Sequence, residues 1–472
     1  MNTNRHLKRM VSAVMSEIKQ KLQDFCKKRE YEELTAEMAA YVSKSLQDAT
    51  LSAAREGYRT FLESYDIEKY AIQVDDTTYR WKFLSPKEIM FVFVLIEISR
   101  HLYQPDRGGE SYIPLDEMWD MEGKYATPEV RDAALFTPSH VTPSETAKIL
   151  KKCVTFPLSA TAIQSMAERT VRFIESYEKK SNAAIRLEEE IPCQTKSMVV
   201  IMDGVNVLLR EPGPYKKGRP KEKPDLQSKE KEEEPTSYRN AMVGSITFYG
   251  EVPPEKKTSE RLTTLYVSQM PKERAITFKQ RFEDEVKEVE KKGGAGCIRL
   301  ALCDGSRSLW KYIDSKSLYE DYEKLVDFYH TTEHLSKAAE ALFGKGSLAA
   351  TRWYEKLKTK KGAAGALLRS IDYYQDTCTL SKSRLKDVQR RKTYFKRNKK
   401  RMKYAEFRMR GLPIGCCVVE EACKTVVKTR MCRSGMRWSR KGGQHILHLR
   451  TYNKSDRWDS FWSHYRTLKR VS

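Results

Sequence analysis

The chain lacks the marks of several broad protein classes. Its 10 cysteines include no Cys-x-x-Cys pair. Neither a zinc ribbon nor a disulfide framework is expected, and the thiols read as those of a reduced, cytosolic protein. Long apolar runs are missing too. The longest strictly apolar stretch, Ile89 to Ile96, covers eight residues, whereas a membrane-spanning helix needs about 20. No membrane association is expected. Met1 to Lys19 has no apolar core of the kind an export signal carries. Acid is scarce relative to base: aspartate plus glutamate number 64 and lysine plus arginine 87, so the formal charge is 87 − 64 = +23. What is present is enough to fold. Hydrophobic residues are 40% and aromatics 10%, which excludes global disorder. A length of 472 residues exceeds one ordinary core and points to roughly two to four domains.

A positive surplus of this size suits nucleic acid, because each lysine or arginine on a phosphate releases a counterion. A merely solubilising surface is the alternative. The distribution favours the first reading. Ser381 to Arg410 holds 14 basic and two acidic residues (Asp387, Glu406), with Tyr394, Phe395, Tyr404 and Phe407 interleaved. Lys424 to Arg450 holds eight basic residues and no acid. Within these runs Lys396, Arg397, Lys399, Lys400, Arg401, Arg430, Arg433 and Arg437 are the expected phosphate contacts.

Periodicity divides the chain. Residues 1–77 read as a helical region. Val11, Met15, Ile18, Leu22 and Phe25 form a heptad-like stripe that suits either a helical hairpin or a dimer seam. Residues 78–125 read as a small β element, with alternation at Thr78, Tyr79, Trp81 and Phe83, an apolar run Ile89 to Ile98 and a turn at Asp106-Arg107-Gly108-Gly109. Residues 126–195 are helical. Ser144 to Cys153 and Ser159 to Tyr177, broken at Val154 to Leu158, have a helix-turn-helix outline, for which any packed helix pair is the alternative. From 196 to 330 the pattern is α/β. Strands are expected at Met198–Leu209, Asn240–Tyr249, Leu262–Val267, Ile298–Leu302 and Lys324–Tyr329, with a helix at Ile276–Lys292 ended by Gly293-Gly294 and a long charged loop at 210–239. Residues 331–410 are helical and increasingly basic. Residues 411–472 open on a Gly-rich turn and continue as a helix and a basic tail.

Three acidic residues stand out in this layout. Asp203 interrupts the first α/β strand and Asp304 ends the fourth, each followed by glycine. A charge inside an apolar strand is costly unless paired or metal-bound. Glu420 follows Gly411-Leu412-Pro413-Ile414-Gly415 near a helix start. In a sheet of three strands followed by a parallel one, strands one and four are neighbours, so their carboxylates can share a site that a later helix completes. Three oxygen ligands suit magnesium or manganese rather than zinc, and two such ions roughly 3.5–4 Å apart can serve phosphodiester chemistry. A plain Asp-Gly turn is the competing reading of either pair. Asp327, His330 and His334 form a fourth cluster, read either as support for the carboxylates or as part of a zinc site without a third ligand.

These motifs carry a resemblance. Met202-Asp203-Gly204, CDGSRSLW from Cys303 to Trp310, VDFYHTTEHL from Val326 to Leu335, and GLPIGCCVVEEACKTVVKTRMCRSGMRWS from Gly411 to Ser439 resemble DDE transposases of the Kra insertion-sequence family. Leu449-Arg450, Arg457-Trp458-Asp459, Pro114-Leu115-Asp116 and Phe136-Thr137-Pro138 fit as well. The resemblance spans about Thr78 to Trp462. It implies an α+β multidomain protein with a ribonuclease-H-like α/β catalytic core and an all-helical insertion, preceded by helical DNA-binding regions and the small β element. It implies Asp203, Asp304 and Glu420 as catalytic, metal-binding residues for two Mg2+ or Mn2+ ions, with Asp327 and His330 supporting. Glu421 is the rival to Glu420. Gly415-Cys416-Cys417 stands where the family shows glycine-serine-glycine. By the same resemblance Trp353, in the insertion, is a candidate to stack on an unpaired base, with a core role as its alternative. The implied activity is metal-dependent strand cleavage and 3′-hydroxyl strand transfer. The implied partner is double-stranded DNA (terminal inverted repeats and target DNA), bound by a homodimer or larger assembly near a bacterial or archaeal nucleoid. A catalytically inactive DNA-binding derivative and a metal-dependent nuclease are the rival readings.

Overall fold

Contacts divide the chain into two units, Met1–Thr170 with Lys469–Ser472, and Val171–Leu468. The computed structural model describes residues 2–28, 35–92, 94–106, 108–119, 121, 125–153, 158–210, 237–256, 258–272, 275–292, 296–415 and 417–471. Most of the charged loop, the 154–157 break, Gly293-Gly294 and Cys416 lie outside those residues.

The first unit begins with helices α1 (Asn2–Lys28) and α2 (Ala36–Glu63), which pack as a hairpin. Small residues permit the close approach: Ala49, Ala53 and Gly57 recur at every fourth position of α2, and a Cβ at Gly57 would lie 2.3 Å from Val14. The heptad stripe makes this contact only in part. Val11 and Met15 remain exposed, Leu22 is half-buried beside Tyr41 and Ala49, and Met10, Val14 and Glu17 also face α2. Strands β1 (Ala71–Val74), β2 (Thr77–Phe91) and β3 (Val94–Pro105) form an antiparallel sheet in that order. The run Ile89 to Ile98 is thus the end of one strand and the start of the next, with Phe91 opposite Val94. Ile89, Phe91, Ile96 and Ile98 pack with Leu62, Leu115 and Met121. Asp116 of the short helix α3 (Pro114–Met118) is buried between Lys87 at 2.8 Å and Arg100 at 2.6 Å. Helices α4 (Pro128–Phe136) and α5 (Pro143–Cys153) follow.

Helix α6 (Ala160–Glu188) runs well past the expected end at Tyr177, and from Val171 onward it belongs to the second unit. Burial continues at Ser181 and Ile185, and Arg186 pairs with Glu285 at 3.0 Å, so the helix has packing to sustain it. This corrects the short second helix of the helix-turn-helix outline.

The second unit is built on five strands: β4 (Ser197–Leu209), β5 (Ser237–Tyr249), β6 (Arg261–Gln269), β7 (Ile298–Cys303) and β8 (Glu323–Val326). Their order is β6-β5-β4-β7-β8; the first three are antiparallel and the last two parallel to β4. Helix α7 (Ile276–Lys292) connects β6 to β7, and α8 (Arg307–Asp314) connects β7 to β8. Both are crossovers of the kind parallel pairing requires. The fifth strand stops at Val326, short of the expected Tyr329, because the Asp327 side chain accepts the His330 amide and caps α9 (Phe328–Phe343).

Helices α10 (Ala349–Thr359), α11 (Ala363–Thr377), α12 (Lys382–Asn398) and α13 (Tyr404–Met409) continue from α9. They form no separate core. Trp353, Leu367, Phe395 and Tyr404 belong to the same cluster as Val200 and Leu300 of the sheet. The chain closes with α14 (Cys417–Ala422), a π-helical turn (Cys423–Lys428), α15 (Thr429–Met431), α16 (Arg440–Lys454) and α17 (Trp458–Val471). Helix α16 lies along the edge strand β6. The Tyr266 amide donates to Ser455 Oγ at 2.9 Å, and the Met270 amide to Gln444 Oε1 at 2.8 Å.

Candidate functional site

Three aspartates stand at or just past the paired stretches of neighbouring parallel strands. Val200 pairs with Ala301 and Cys303 with Val326, both in parallel. The pairing ends at these residues; continued by three residues from the first pair and one from the second, it would bring Asp203, Asp304 and Asp327 to one level, in keeping with the charge that Asp203 and Asp327 exert on Asp304. Adjacent strands are about 4.8 Å apart, and residues at one level of a parallel sheet point to the same face. Strand β4 continues to Leu209 while β7 stops at Cys303, so the sheet opens beside Asp203.

Backbone amides orient each carboxylate. Asp203 Oδ1 accepts the Gly204 amide at 2.6 Å, Asp304 Oδ1 the Ser306 amide at 2.9 Å, and Asp327 Oδ1 the His330 amide at 2.6 Å. Asp203 and Asp304 are half-buried; Asp327, the helix cap, is fully buried. Cys423, in the π turn, donates from Sγ to Asp203 Oδ2 at 3.5 Å.

The two glutamates part company. Glu421 pairs with Arg261 at 2.6 Å. Glu420 feels the charges of Asp327, Glu333, Asp203 and His330. Partial desolvation first, and the three carboxylates next, hold its carboxyl above the ordinary value. The Asp304 carboxyl is likewise raised, first by burial and then by Asp203 and Asp327, against the Ser306 hydrogen bond and His330, which lower it. Burial and these same aspartates push the Cys303 thiol up to about 12.

Helix α12 is docked on the Asp304 loop. A Cβ on Gly305 would lie 2.0 Å from the Tyr394 ring. That ring stacks on His334 with centroids 3.7 Å apart and planes at 5°, and its hydroxyl is 3.3 Å from Thr331 Oγ1. His334 is held neutral, its pKa lowered to about 3 by burial and then by Arg391, whose guanidinium is 3.2 Å from Nδ1. Arg397 donates to the Gly305 carbonyl at 2.8 Å. Trp310 donates from Nε1 to the Asp304 carbonyl at 2.7 Å, with Arg401 4.5 Å above its ring. The stacking on Tyr394 and the Arg391 guanidinium at Nδ1 give His334 a packing role.

The candidate DNA contacts divide by exposure. Lys396, Arg397, Lys399, Lys400 and Arg437 are exposed, and Arg401 and Arg433 are half-buried. Arg401 also pairs with Asp314 at 2.5 Å. Arg430 is 1% exposed, its guanidinium 5.1 Å over Trp438, so its place is in the fold rather than on its surface. Trp353 is 8% exposed and meets Phe343 edge-on at 5.9 Å, so its packing supports the core role over stacking on a base. Tyr394, Trp310 and Cys423 went unmarked as site residues in the sequence. Only the position of Cys423 three residues after Glu420 could have drawn attention to it.

Among the described residues, no three His, Cys, Asp or Glu side chains close into a ready metal cage. The donors fit a hard divalent ion in kind. Asp203, Asp304 and Glu420 offer only oxygen, and the carboxyls of Asp304 and Glu420 are raised by burial first and by neighbouring carboxylates after it.

No family model matches the chain, and no curated protein matches it. Among solved structures it is similar to the Drosophila P element transposase strand transfer complex, at 10% identity and a TM-score of 0.32, over 69% of this chain and 92% of that one. The chain is a mixed α+β protein of two units, and no helix among the described residues is long and apolar enough to cross a membrane.

Proposed function

We propose that this chain is a transposase of the DDE type, which binds the terminal inverted repeats of a mobile element, cuts a strand and joins the freed 3′-hydroxyl to target DNA. The observation that carries the reading is the parallel pairing of β4 with β7 through Val200 and Ala301, whose register, continued, would bring Asp203 and Asp304 to one level. The strand order β6-β5-β4-β7-β8 is that of a ribonuclease-H-like core on this reading. The coupling of Glu420 to Asp203, with Glu421 engaged by Arg261, supports Glu420 as the third carboxylate.

Asp203, Asp304 and Glu420 would hold two Mg2+ or Mn2+ ions. Such ions supply activation of a water or 3′-hydroxyl and stabilisation of the leaving oxygen. The chain's own residues do the rest. The Gly204 and Ser306 amides fix the planes of the two aspartates. Asp327 and His330 support them: Asp327 anchors α9, and His330 supplies a group that eases the repulsion on Asp304 and Glu420. Lys396, Lys399 and Lys400 lie on the helical segment docked at the Asp304 loop, where they can hold backbone phosphates without reading bases. Two or more copies would act together, one at each end of the element.

The test uses the purified full chain, Mg2+, a duplex copied from the DNA flanking its coding sequence, and a target plasmid. Joined product, absent for Asp203→Asn, is expected. Cutting without joining would make the chain a nuclease, and binding with neither would make it an inactive DNA-binding derivative.

A further inference from the structure

Asp203 is held at both carboxylate oxygens, Oδ1 by the Gly204 amide at 2.6 Å and Oδ2 by Cys423 Sγ at 3.5 Å. The second contact joins the strand that carries Asp203 to the helix that carries Glu420. Cys423 stands three residues after Glu420, a spacing that puts two side chains on one helical face. It is 4% exposed and opens the π turn, whose Val426 and Val427 are both fully buried. Cys423, Val426 and Val427 stand at i, i+3 and i+4, the spacing that gathers side chains on one face, and that face is turned into the core, where the thiol meets Asp203.

We infer that Cys423 is a positioning residue, whose S–H fixes the plane of the Asp203 carboxylate and registers the Glu420 helix against β4. The inference rests on the reading above, that Asp203 and Glu420 serve the same ions. Its contact is with Asp203, and it acts through that carboxylate. A neutral donor suits this place. A lysine or arginine would neutralise Asp203, and an apolar group of the same size would leave Oδ2 free to turn.

The experiment separates hydrogen bonding from filling of space. Cys423→Val keeps similar volume and loses the donor; Cys423→Ser keeps a donor and puts a more polar group in the core. Manganese binding to the full chain is measured directly by calorimetric titration without DNA, alongside the melting temperature of each variant. Cys423→Val is expected to melt like the parent and to bind manganese about tenfold more weakly, equivalent to about 1.4 kcal/mol. Cys423→Ser is expected to bind within about threefold of the parent even if it melts lower. The opposite pattern, with parental binding in Cys423→Val and weakened binding in Cys423→Ser, would overturn the inference and leave Cys423 as core filling. Asp203→Asn serves as the reference. If the parent binds manganese no more tightly than Asp203→Asn, the assignment of the carboxylates to metal is what fails, and the role of Cys423 falls with it.

Discussion

Replacing Gly305 by alanine should disrupt the molecule at the point where α12 meets the Asp304 loop. The new methyl would sit 2.0 Å from a Tyr394 ring carbon and 2.7 Å from the next. Carbon atoms in contact sit about 3.5 Å apart, so the ring must move by about 1.5 Å. It has little freedom to do so, being 5% exposed, stacked on His334 and hydrogen-bonded at its hydroxyl. Overpacking of a tight core costs typically about 1–3 kcal/mol, and the clamped ring places Gly305→Ala near 3 kcal/mol. Urea unfolding measures this directly. The decisive test is a double-mutant cycle. Tyr394→Leu alone loses a buried aromatic and costs about 2–4 kcal/mol. In the double mutant the alanine methyl occupies vacated space, so the two costs should fall short of their sum by about 1–3 kcal/mol. DNA cleavage should be lost in Gly305→Ala and partly recovered in the double mutant. Additivity within about 0.5 kcal/mol, or a Gly305→Ala protein as stable as the parent, would refute the argument that Tyr394 sets the Asp304 loop.

Asp304→Asn should abolish cleavage yet raise the melting temperature of the metal-free protein at pH 7. Burial and Asp203 raise the Asp304 carboxyl above its ordinary value of 3.8, so its stabilising effect is full below that value and is lost as pH rises through the folded value; the gap between variant and parent should therefore shrink on acidification, as melting curves at pH 4 and 7 would show. Glu420→Gln should eliminate product, whereas Glu421→Gln should cost no more than about 1 kcal/mol, the worth of an exposed pair such as that with Arg261, and leave product formation intact. Neutralising the exposed Lys396, Lys399 and Lys400 together should flatten the salt dependence of DNA affinity by about 2–3 units, at roughly 0.9 per phosphate contact, while neutralising buried Arg430 should lower stability by about 3 kcal/mol and leave the slope unchanged.

The five strands and their order were legible because apolar, β-branched runs such as Met198–Leu209 alternate with one clear helix at Ile276–Lys292. A strand reached through a helix pairs in parallel with the central strand, and that register, continued past Val200 and Ala301, would bring Asp203 level with Asp304. Local capping was harder to read. Asp327 ends β8 because its carboxylate caps α9, and the apolar Phe328 and Tyr329 beyond it look like strand until that cap is seen. The run Ile89 to Ile98 hides a reversal because both strands bury the same kinds of side chain. Charge counts proved coarse for a physical reason. They do not separate Arg430 and Arg450, at 1% and 3% exposure, from cations that face solvent. The contacts that finish the site were beyond reach. Cys423 meets Asp203 across 220 positions and Arg397 meets Gly305 across 92, and no local period encodes such pairs.

The capping of β6 by α16 limits how copies of this chain can associate. An edge strand with open amides is a template on which another chain can add a strand. Here Ser455 and Gln444 have taken the outward-facing amides of Tyr266 and Met270. The opposite edge, β8, is four residues long. Neither edge offers a long open ladder, so any association of copies is steered toward side-chain surfaces and away from continuous sheets. A truncation that removed α16 would leave all five strands in place and turn β6 into an adhesive edge, so aggregation, rather than loss of the sheet, would be the first sign of its absence.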